Sequence, residues 1–558
     1  MATTVSNHLT CNEPEFASPH TWYSPETGIY TSKHAPLELP SDPFLDVVSH
    51  IFSQQHNGFS ALIDSSSACS ISYSDLFPLV KSTAFGLHKM GVSQGDVVLL
   101  LIPNSIFYPI VFLGVLYLGA IVTPLNPRSH ISEIHKQIAE CGVSMGFTSQ
   151  DKVRELQLLG IPVIGVPGNF KECSSNYSVF YNLVSGNSGL FPRPVIKQED
   201  KAAILYSSGT TGASKGVVLT HKNFVSMVEL FVRFEASQYD YSSSKNVFLA
   251  VLPMFHIYGL SLFATGLLSL GSTIIVMKTF DINEVIKVID NYRVTHFPVV
   301  PPILTALTKK VTSINRSYLQ SLIQVSCGAA PLSIKNIEDF IHTLPNVDLI
   351  QGYGMTESTA VGTRGFNTEK FQNYSSIGLL APNMEAKVVD WKTGAFMPTG
   401  SSGELWLRGP SIMRGYLNNK EATMSTIDKD GWLHTGDVAW FDQDGYIHLS
   451  DRLKDIIKYK GYQISPVDLE ALLILHPEIV DVAVIGFNDE ETGEIPVAFV
   501  VRKVGSTLSQ EAILNYVAQQ VAPYKKVRKV VFTDSIPRSA AGKILKRQLR
   551  RNYLTSKL

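Results

Sequence analysis

The run Tyr206-Ser-Ser-Gly-Thr-Thr-Gly-Ala-Ser-Lys-Gly216 holds the residue types that wrap a polyphosphate. Ser207, Ser208, Thr210 and Thr211 offer hydroxyl donors, and Lys215 offers a positive charge. Gly209, Gly212 and Gly216 let the backbone come close to a ligand and take unusual dihedrals. The spacing is not that of a Walker loop, because Ser214 and Gly216 stand where that pattern needs a Gly and a Ser or Thr. The competing reading is a flexible Ser/Gly surface loop. A linker rarely ends in Lys-Gly between two apolar strands, here Ala202 to Leu205 and Val217-Val-Leu219, so the phosphate reading is preferred.

This loop resembles the phosphate loop of the adenylate-forming enzymes: acyl-CoA synthetases, peptide-synthetase adenylation domains and beetle luciferases. The resemblance continues in order along the chain. Gln351-Gly-Tyr-Gly-Met-Thr-Glu357 resembles that family's adenine and magnesium motif, and Gly436-Asp437 its ribose-binding step. Asp451-Arg452 through Gly461 resembles its hinge and thioester-forming segment, and Pro537-Arg-Ser-Ala-Ala-Gly-Lys543 its catalytic lysine loop. The resemblance implies an ATP-dependent carboxylate–CoA ligase that passes through an acyl-AMP and releases pyrophosphate. The substrates would be ATP, coenzyme A and a small carboxylic acid, with Mg2+ as cofactor. The implied fold is α/β. A large N-terminal domain of duplicated doubly wound α/β subdomains plus a small β subdomain would carry a small mobile α+β C-terminal domain.

Residue roles follow from the same resemblance. Lys543, His256 and Lys458 are the expected catalytic residues. ATP and AMP would be held by Ser207, Ser208, Gly209, Thr210, Thr211, Lys215, Gln351, Gly352, Tyr353, Thr356, Asp437, Arg452, Lys454, Lys458 and Lys543. The acid would lie against His256, Tyr258, Ala329 and Gly352, and CoA against Lys460, Gly461 and Lys278. The chemistry of each fits. The Asp437 carboxylate can accept both ribose hydroxyls, with Arg452 reinforcing it. Glu357 is a hard oxygen donor suited to Mg2+ beside phosphates. The Lys543 ammonium can meet charge that builds on the α-phosphate and carboxylate. Each has a plainer reading: a structural Gly-Asp turn, a solvated loop acid, a packed loop histidine, and one more cation beside the basic face of Lys546, Arg547, Arg550 and Arg551.

Within the family, the chain looks most like plant peroxisomal 4-coumarate–CoA ligase-like enzymes. It departs from the true coumarate ligases at two places: Trp406 replaces a Cys, and Leu262 stands where a small Ser often lines the aryl pocket; Lys278, in turn, precedes the place near Thr279 where the family commonly has a CoA-contacting Lys. The sequence ends in Ser556-Lys557-Leu558, a tripeptide of the kind read by the peroxisomal import receptor. Peroxisomal location is the expectation, with a phenylpropanoid, jasmonate-precursor or fatty acid as substrate. A luciferase-like oxygenase and a nucleotide-binding regulator without turnover stay open as alternatives.

These residues need a scaffold of several hundred residues to bring them together, and the apolar pattern supplies one. Two long uncharged stretches, from Val97 to Pro127 and from Val247 to Met277, are long enough to span a bilayer. Each breaks the same way, however: an apolar strand, a Pro, a helix-length run, Leu-Gly, and a second strand. That order predicts buried parallel strands in repeated βαβ units and no transmembrane segment. The chain is divided into an N-terminal arm over 1–40, expected to be loosely ordered, a large domain over 41–450, a hinge over 451–454 and a small domain over 455–558. In 558 residues, 47 Lys and Arg balance 48 Asp and Glu, which leaves no basic excess for nucleic acid. Five scattered cysteines lack metal or disulfide spacing and fit a reducing compartment.

Overall fold

The structure is a computed structural model that describes residues 22–172, 175–185, 192–207, 214–239, 242–367, 372–453, 455–459, 462–489, 492–521, 523–539 and 542–555. Among them the strands form four sheets: two large mixed sheets, a six-stranded antiparallel sheet and a small C-terminal sheet. The chain is α/β, with a large N-terminal domain and a small C-terminal one.

The two uncharged stretches sit in different large sheets and repeat one unit. Val97–Leu101 and Ile121–Pro124 run parallel in the seven-stranded sheet, with Val97 opposite Ile121. Val247–Ala250 and Thr273–Val276 do the same in the nine-stranded sheet, with Val247 opposite Thr273. Helix Phe107–Tyr117 is apolar on every side because it is covered on every side; all but its last residue are buried. The second unit departs from the regular helix expected of it. It winds as α over Ile257–Gly259, π over Leu260–Thr265 and 3-10 over Gly266–Leu270. The cause is close packing: a Cβ on Gly259 would collide with the Pro253 carbonyl, and one on Gly266 with Val232. A second π segment, Val228–Arg233, carries that Val232. No helix among the described residues is long and apolar enough to cross a membrane.

The expectation of a loosely ordered N-terminal arm is corrected from Trp22 onward. Tyr23–Ser24 and Ile29–Thr31 add to the six-stranded sheet beside Glu385–Val389. Tyr30 is fully buried, stacks on Phe441 at 3.9 Å and donates to the Met397 carbonyl at 2.8 Å. Its aromatic area is large enough to fix a segment whose turn-rich composition reads as loose.

The C-terminal sheet centres on the long hairpin Ile479–Asp489 and Gly493–Arg502, with helices Pro466–Ile474 and Gln510–Ala518 packed on it. Lys529–Phe532 joins it in parallel.

Candidate active site

In the nine-stranded sheet, strands Val247–Ala250, His296–Val299, Gln324–Cys327 and Asp348–Tyr353 run parallel. Their carboxyl ends therefore open on one side, the side on which open α/β sheets bind ligands. The segments that leave those ends carry His256 and Tyr258, then Val300, then Ala329, then Thr356 and Glu357. Strand Lys201–Ser207 and strand Lys215–Thr220 form an antiparallel hairpin that presents the Ser/Gly loop, with Ser207 opposite Lys215.

Glu357 is buried, and its Oε1 accepts from Ser207 Oγ at 2.7 Å and from the Tyr416 hydroxyl at 3.0 Å. Lys215 Nζ lies 4.7 Å from the centre of the Tyr416 ring. Tyr416 reaches this place because its strand pairs with Val217. This group fits Mg2+ as the ion is usually held beside phosphates, by one carboxylate with waters and phosphate oxygens completing the shell. No cluster of three or more His, Cys, Asp or Glu residues occurs among the described residues, so an all-protein cage is not offered.

Asp437 is buried. Its Oδ2 accepts from the Tyr353 hydroxyl at 2.7 Å, and its Oδ1 lies 3.1 Å from Arg452 Nε. Antiparallel pairing of Leu433–Phe441 with Ile447–Arg452 sets Asp437 directly opposite Arg452. Burial raises the Tyr353 phenol well above its usual range, and the Asp437 carboxylate adds to this, so Tyr353 stays a donor. Burial works against the Arg452 charge, but Asp437 together with Tyr353, Asp455 and Glu357 outweighs it, and the guanidinium is held more firmly charged. Gln351 donates to the Tyr374 carbonyl at 2.6 Å. Gly354 cannot carry a side chain, because a Cβ there would collide with the Ala360 carbonyl. Ala329 stands exposed at φ +68°, a left-handed conformation that a larger side chain would take at greater cost.

His256 caps its short helix, with Nδ1 accepting from the Tyr258 N–H at 3.3 Å. Buried Asn104 holds this loop: its Nδ2 donates to the Leu252 carbonyl at 2.9 Å and its Oδ1 accepts from the Met254 N–H at 2.9 Å. Tyr258 OH lies 3.4 Å from the Ser326 carbonyl. The lysine loop of the small domain reaches the same place. Gly542, at φ +77°, sits so that a Cβ would fall 3.1 Å from Pro302 Cδ and 3.3 Å from Val300 Cβ. Lys543, next in sequence, is close enough for its charge to act on His256. Burial first, and then the Lys543 charge, lower the His256 imidazole to about 4, so it is neutral at neutral pH.

Three histidines buried more deeply than the half-buried His256 behave alike. Burial brings His34 and His221 down to about 4 and His296 to about 3. In the unfolded chain each binds a proton below its ordinary value of 6.5, whereas the folded chain binds it only near these lower values. Between them the unfolded state holds more protons, so stability is fully present above 6.5 and is lost as pH falls towards 4. The melting temperature should therefore drop steadily across that window, and a flat profile there would count against neutral imidazoles at these four positions.

Several expected site residues lie outside the described residues: Ser208, Gly209, Thr210, Thr211, Lys454, Lys460, Gly461 and Ser556, Lys557 and Leu558. Lys458 falls on strand Ile457–Tyr459. Gly352 and Thr356 lie at the carboxyl end of Asp348–Tyr353 and in the turn after it. Lys278 is exposed just past strand Thr273–Val276. Trp406 stacks on His434 at 3.9 Å and donates to Glu404, whose other oxygen accepts from the Gly436 N–H. It braces the strand that carries Asp437. Leu262 is buried in the first-named π segment. Four residues at or beside the site were not singled out from sequence: Asn104, Tyr416, Arg364, whose Nη1 lies 3.1 Å from where a Gly352 Cβ would be, and its ion-pair partner Glu235 at 2.7 Å. A charged residue two places past Gly362 in an otherwise uncharged run was the one signal for Arg364.

Residues 51–417 match the family model described as AMP-binding enzyme, and 468–543 match the AMP-binding enzyme C-terminal domain. The chain therefore belongs to the AMP-binding enzymes, within their acyl-CoA ligases. It is 58% identical to 4-coumarate–CoA ligase-like 6 of Arabidopsis thaliana, over 97% of each chain. It is 44% identical to the peroxisomal OPC-8:0-CoA ligase 1 of the same plant, over 93% of this chain and 95% of that one. Among solved structures, ATP-bound MatB from Rhodopseudomonas palustris superposes with a TM-score of 0.83 at 26% identity, covering 91% of this chain and 98% of that one.

Proposed function

We propose that this enzyme joins a phenylpropanoid, jasmonate-precursor or fatty acid to CoA in peroxisomes. The observation that carries the chemistry is the meeting of Lys543 with His256, residues 287 positions apart and on different domains, at the carboxyl ends of the parallel strands. In the first half-reaction an acid oxygen attacks the α-phosphorus of ATP, and the bond to the leaving pyrophosphate breaks. Lys543 meets the negative charge that grows between the two reacting groups. Neutral His256 orients the acid without adding a second cation. Asp437, steadied by Tyr353 and Arg452, accepts the ribose hydroxyls. Glu357, with Ser207 and Lys215 beside it, would hold Mg2+, whose charge would offset that of the phosphates. In the second half-reaction the CoA thiol sulfur attacks the acyl carbonyl and gives up its proton, and AMP leaves. No side-chain nucleophile is needed, so catalysis rests on positioning and on charge. We assign the passage for the CoA arm to Lys460-Gly461 and the rotation that presents it to the hinge over 451–454. Pyrophosphate release across a panel of acids tests the substrate reading. Trp406 and Leu262, the departures from the true coumarate ligases, lead us to expect that 4-coumarate is not the best substrate: medium-chain or jasmonate-precursor acids should exceed it in kcat/KM, and the reverse order would refute that expectation.

Peroxisomal location rests on Ser556-Lys557-Leu558 and on the relative that is named peroxisomal. A fluorescent protein fused ahead of residue 1 should collect in peroxisomes, and removing the tripeptide should leave it in the cytosol. Unchanged location after removal would sink the assignment.

A further inference from the structure

The segment from Pro537 to Leu545 closes on itself. Arg538 and Ile544 bridge antiparallel, and the Leu545 N–H donates to the Pro537 carbonyl at 2.8 Å. Inside it, the Gly542 N–H donates to the Ser539 carbonyl at 2.8 Å, and the Ser539 N–H to the Lys543 carbonyl at 2.8 Å. The Lys543 N–H donates to Ser539 Oγ at 3.2 Å. These bonds fix the outline of the loop but do not tie it to the sheet of the small domain. Arg538 does. Its Nη2 pairs with Asp481 Oδ1 at 2.8 Å, and its Nη1 donates to the Gly542 carbonyl at 3.3 Å. That carbonyl belongs to the peptide bond that leads into Lys543, and Gly542 is the residue set against Val300 and Pro302. One rigid, planar guanidinium thus spans from a sheet strand to the last peptide before Lys543, a geometry that a single flexible ammonium does not reproduce.

The strand places Asp481 for this. On Ile479–Asp489, Ala483 and Ile485 pack with Ile536 and Leu549 on one face of the sheet. Asp481 has the same parity, so it stands at the end of that face, beside the segment that Ile536 leads into Arg538. Pairing with Gly493–Arg502 shifts here: Ile479 lies opposite Arg502 and Asp481 opposite Val501, which leaves Val480 as the extra residue of a bulge. Asp481 Oδ1 also accepts from the Val482 N–H at 2.9 Å, which holds the carboxylate in place. The side chains of Arg538 and Asp481 are 28% and 33% exposed. A pair so open to water adds little to stability. Its geometry matters more than its strength, because a small displacement of a charge at a reacting centre costs rate.

We propose that Arg538 and Asp481 are positioning residues for adenylation, which act through Lys543 by holding the peptide before it. This deepens the ligase reading above and rests on it. Both residues lie in the small domain, so on the proposed rotation they leave the site with Lys543 and serve the first half-reaction alone. The test measures each half-reaction in single turnovers of the full-length enzyme. Arg538→Met and Asp481→Asn should each slow acyl-AMP formation by about 10- to 100-fold at saturating ATP and acid, with little change in the ATP concentration needed. Arg538→Lys, which reaches one acceptor without holding both, should fall between. Conversion of supplied acyl-AMP to acyl-CoA should keep the parent's rate, and the melting temperature should stay near the parent's. In a Lys543→Ala background, Arg538→Met should cost nothing more, because a residue that acts through Lys543 has nothing left to position. Acyl-AMP formation at the parent's rate in both variants would overturn the proposal. So would equal loss of both half-reactions or a collapsed melting temperature in both, either of which makes the pair structural. A further loss on top of Lys543→Ala would also overturn it, since Arg538 would then act on its own. A parent enzyme that adenylates no acid would instead refute the ligase reading.

Discussion

Lys543→Ala is expected to lose acyl-AMP formation by about 10²–10³-fold while still converting supplied acyl-AMP to acyl-CoA. The reason is local. On the proposed mechanism the carboxylate and the α-phosphate meet near Lys543 and His256, and the Lys543 charge matters most when theirs is spread between them. The thioester step breaks a bond to AMP already made, so the same charge contributes less. Gly461→Leu should do the reverse, because a side chain there would obstruct the CoA arm. On the proposed division of the chain Lys543 and Gly461 share the small domain over 455–558, so one fixed arrangement would not easily present both to one ligand. Rotation about 451–454 between steps would separate the two defects. Single-turnover assays with synthetic acyl-AMP measure both, and equal loss of both half-reactions in each variant would defeat the two-position mechanism.

Arg364→Met should lower stability by about 3–5 kcal/mol, because it strips the partner from a largely buried carboxylate, Glu235. Burial disfavours the Arg364 charge, but Glu235 and then the Tyr258 phenol outweigh it and keep the guanidinium protonated throughout the usable pH range. Removing both charges in Arg364→Met/Glu235→Gln should restore most of the loss. Urea unfolding of the two variants beside the parent gives the comparison. A single variant that costs no more than about 1 kcal/mol, the scale of an exposed pair, would show that the pair is solvated.

The sequence made the sheets legible because parallel strands buried on both faces are continuous apolar runs, as at Val97–Leu101 and Thr273–Val276. Their Pro and Leu-Gly punctuation also located the turns. What was not legible depended on contacts between distant segments. The π winding at Leu260–Thr265 follows from how closely Gly266 meets Val232, which no local pattern encodes. Docking of Tyr30 on Phe441 needs a partner more than 400 residues away. In the site, Asp437 and Arg452 were readable from motif order, and their direct pairing is a matter of strand register. Asn104 was not readable, since an Asn after Pro looks like a turn until its amide is seen to tie Leu252 to Met254. Arg364 and Glu235 are 129 positions apart, and their bond forms only when the strand after Ala360 lies against the second π segment.

Exchange of labelled pyrophosphate into ATP, measured with and without an acid and with no CoA present, tests the adenylation chemistry most directly. Exchange that requires the acid and that disappears in Lys543→Ala is the expected result. Absence of exchange with every acid tried, or exchange unchanged in Lys543→Ala, would contradict it.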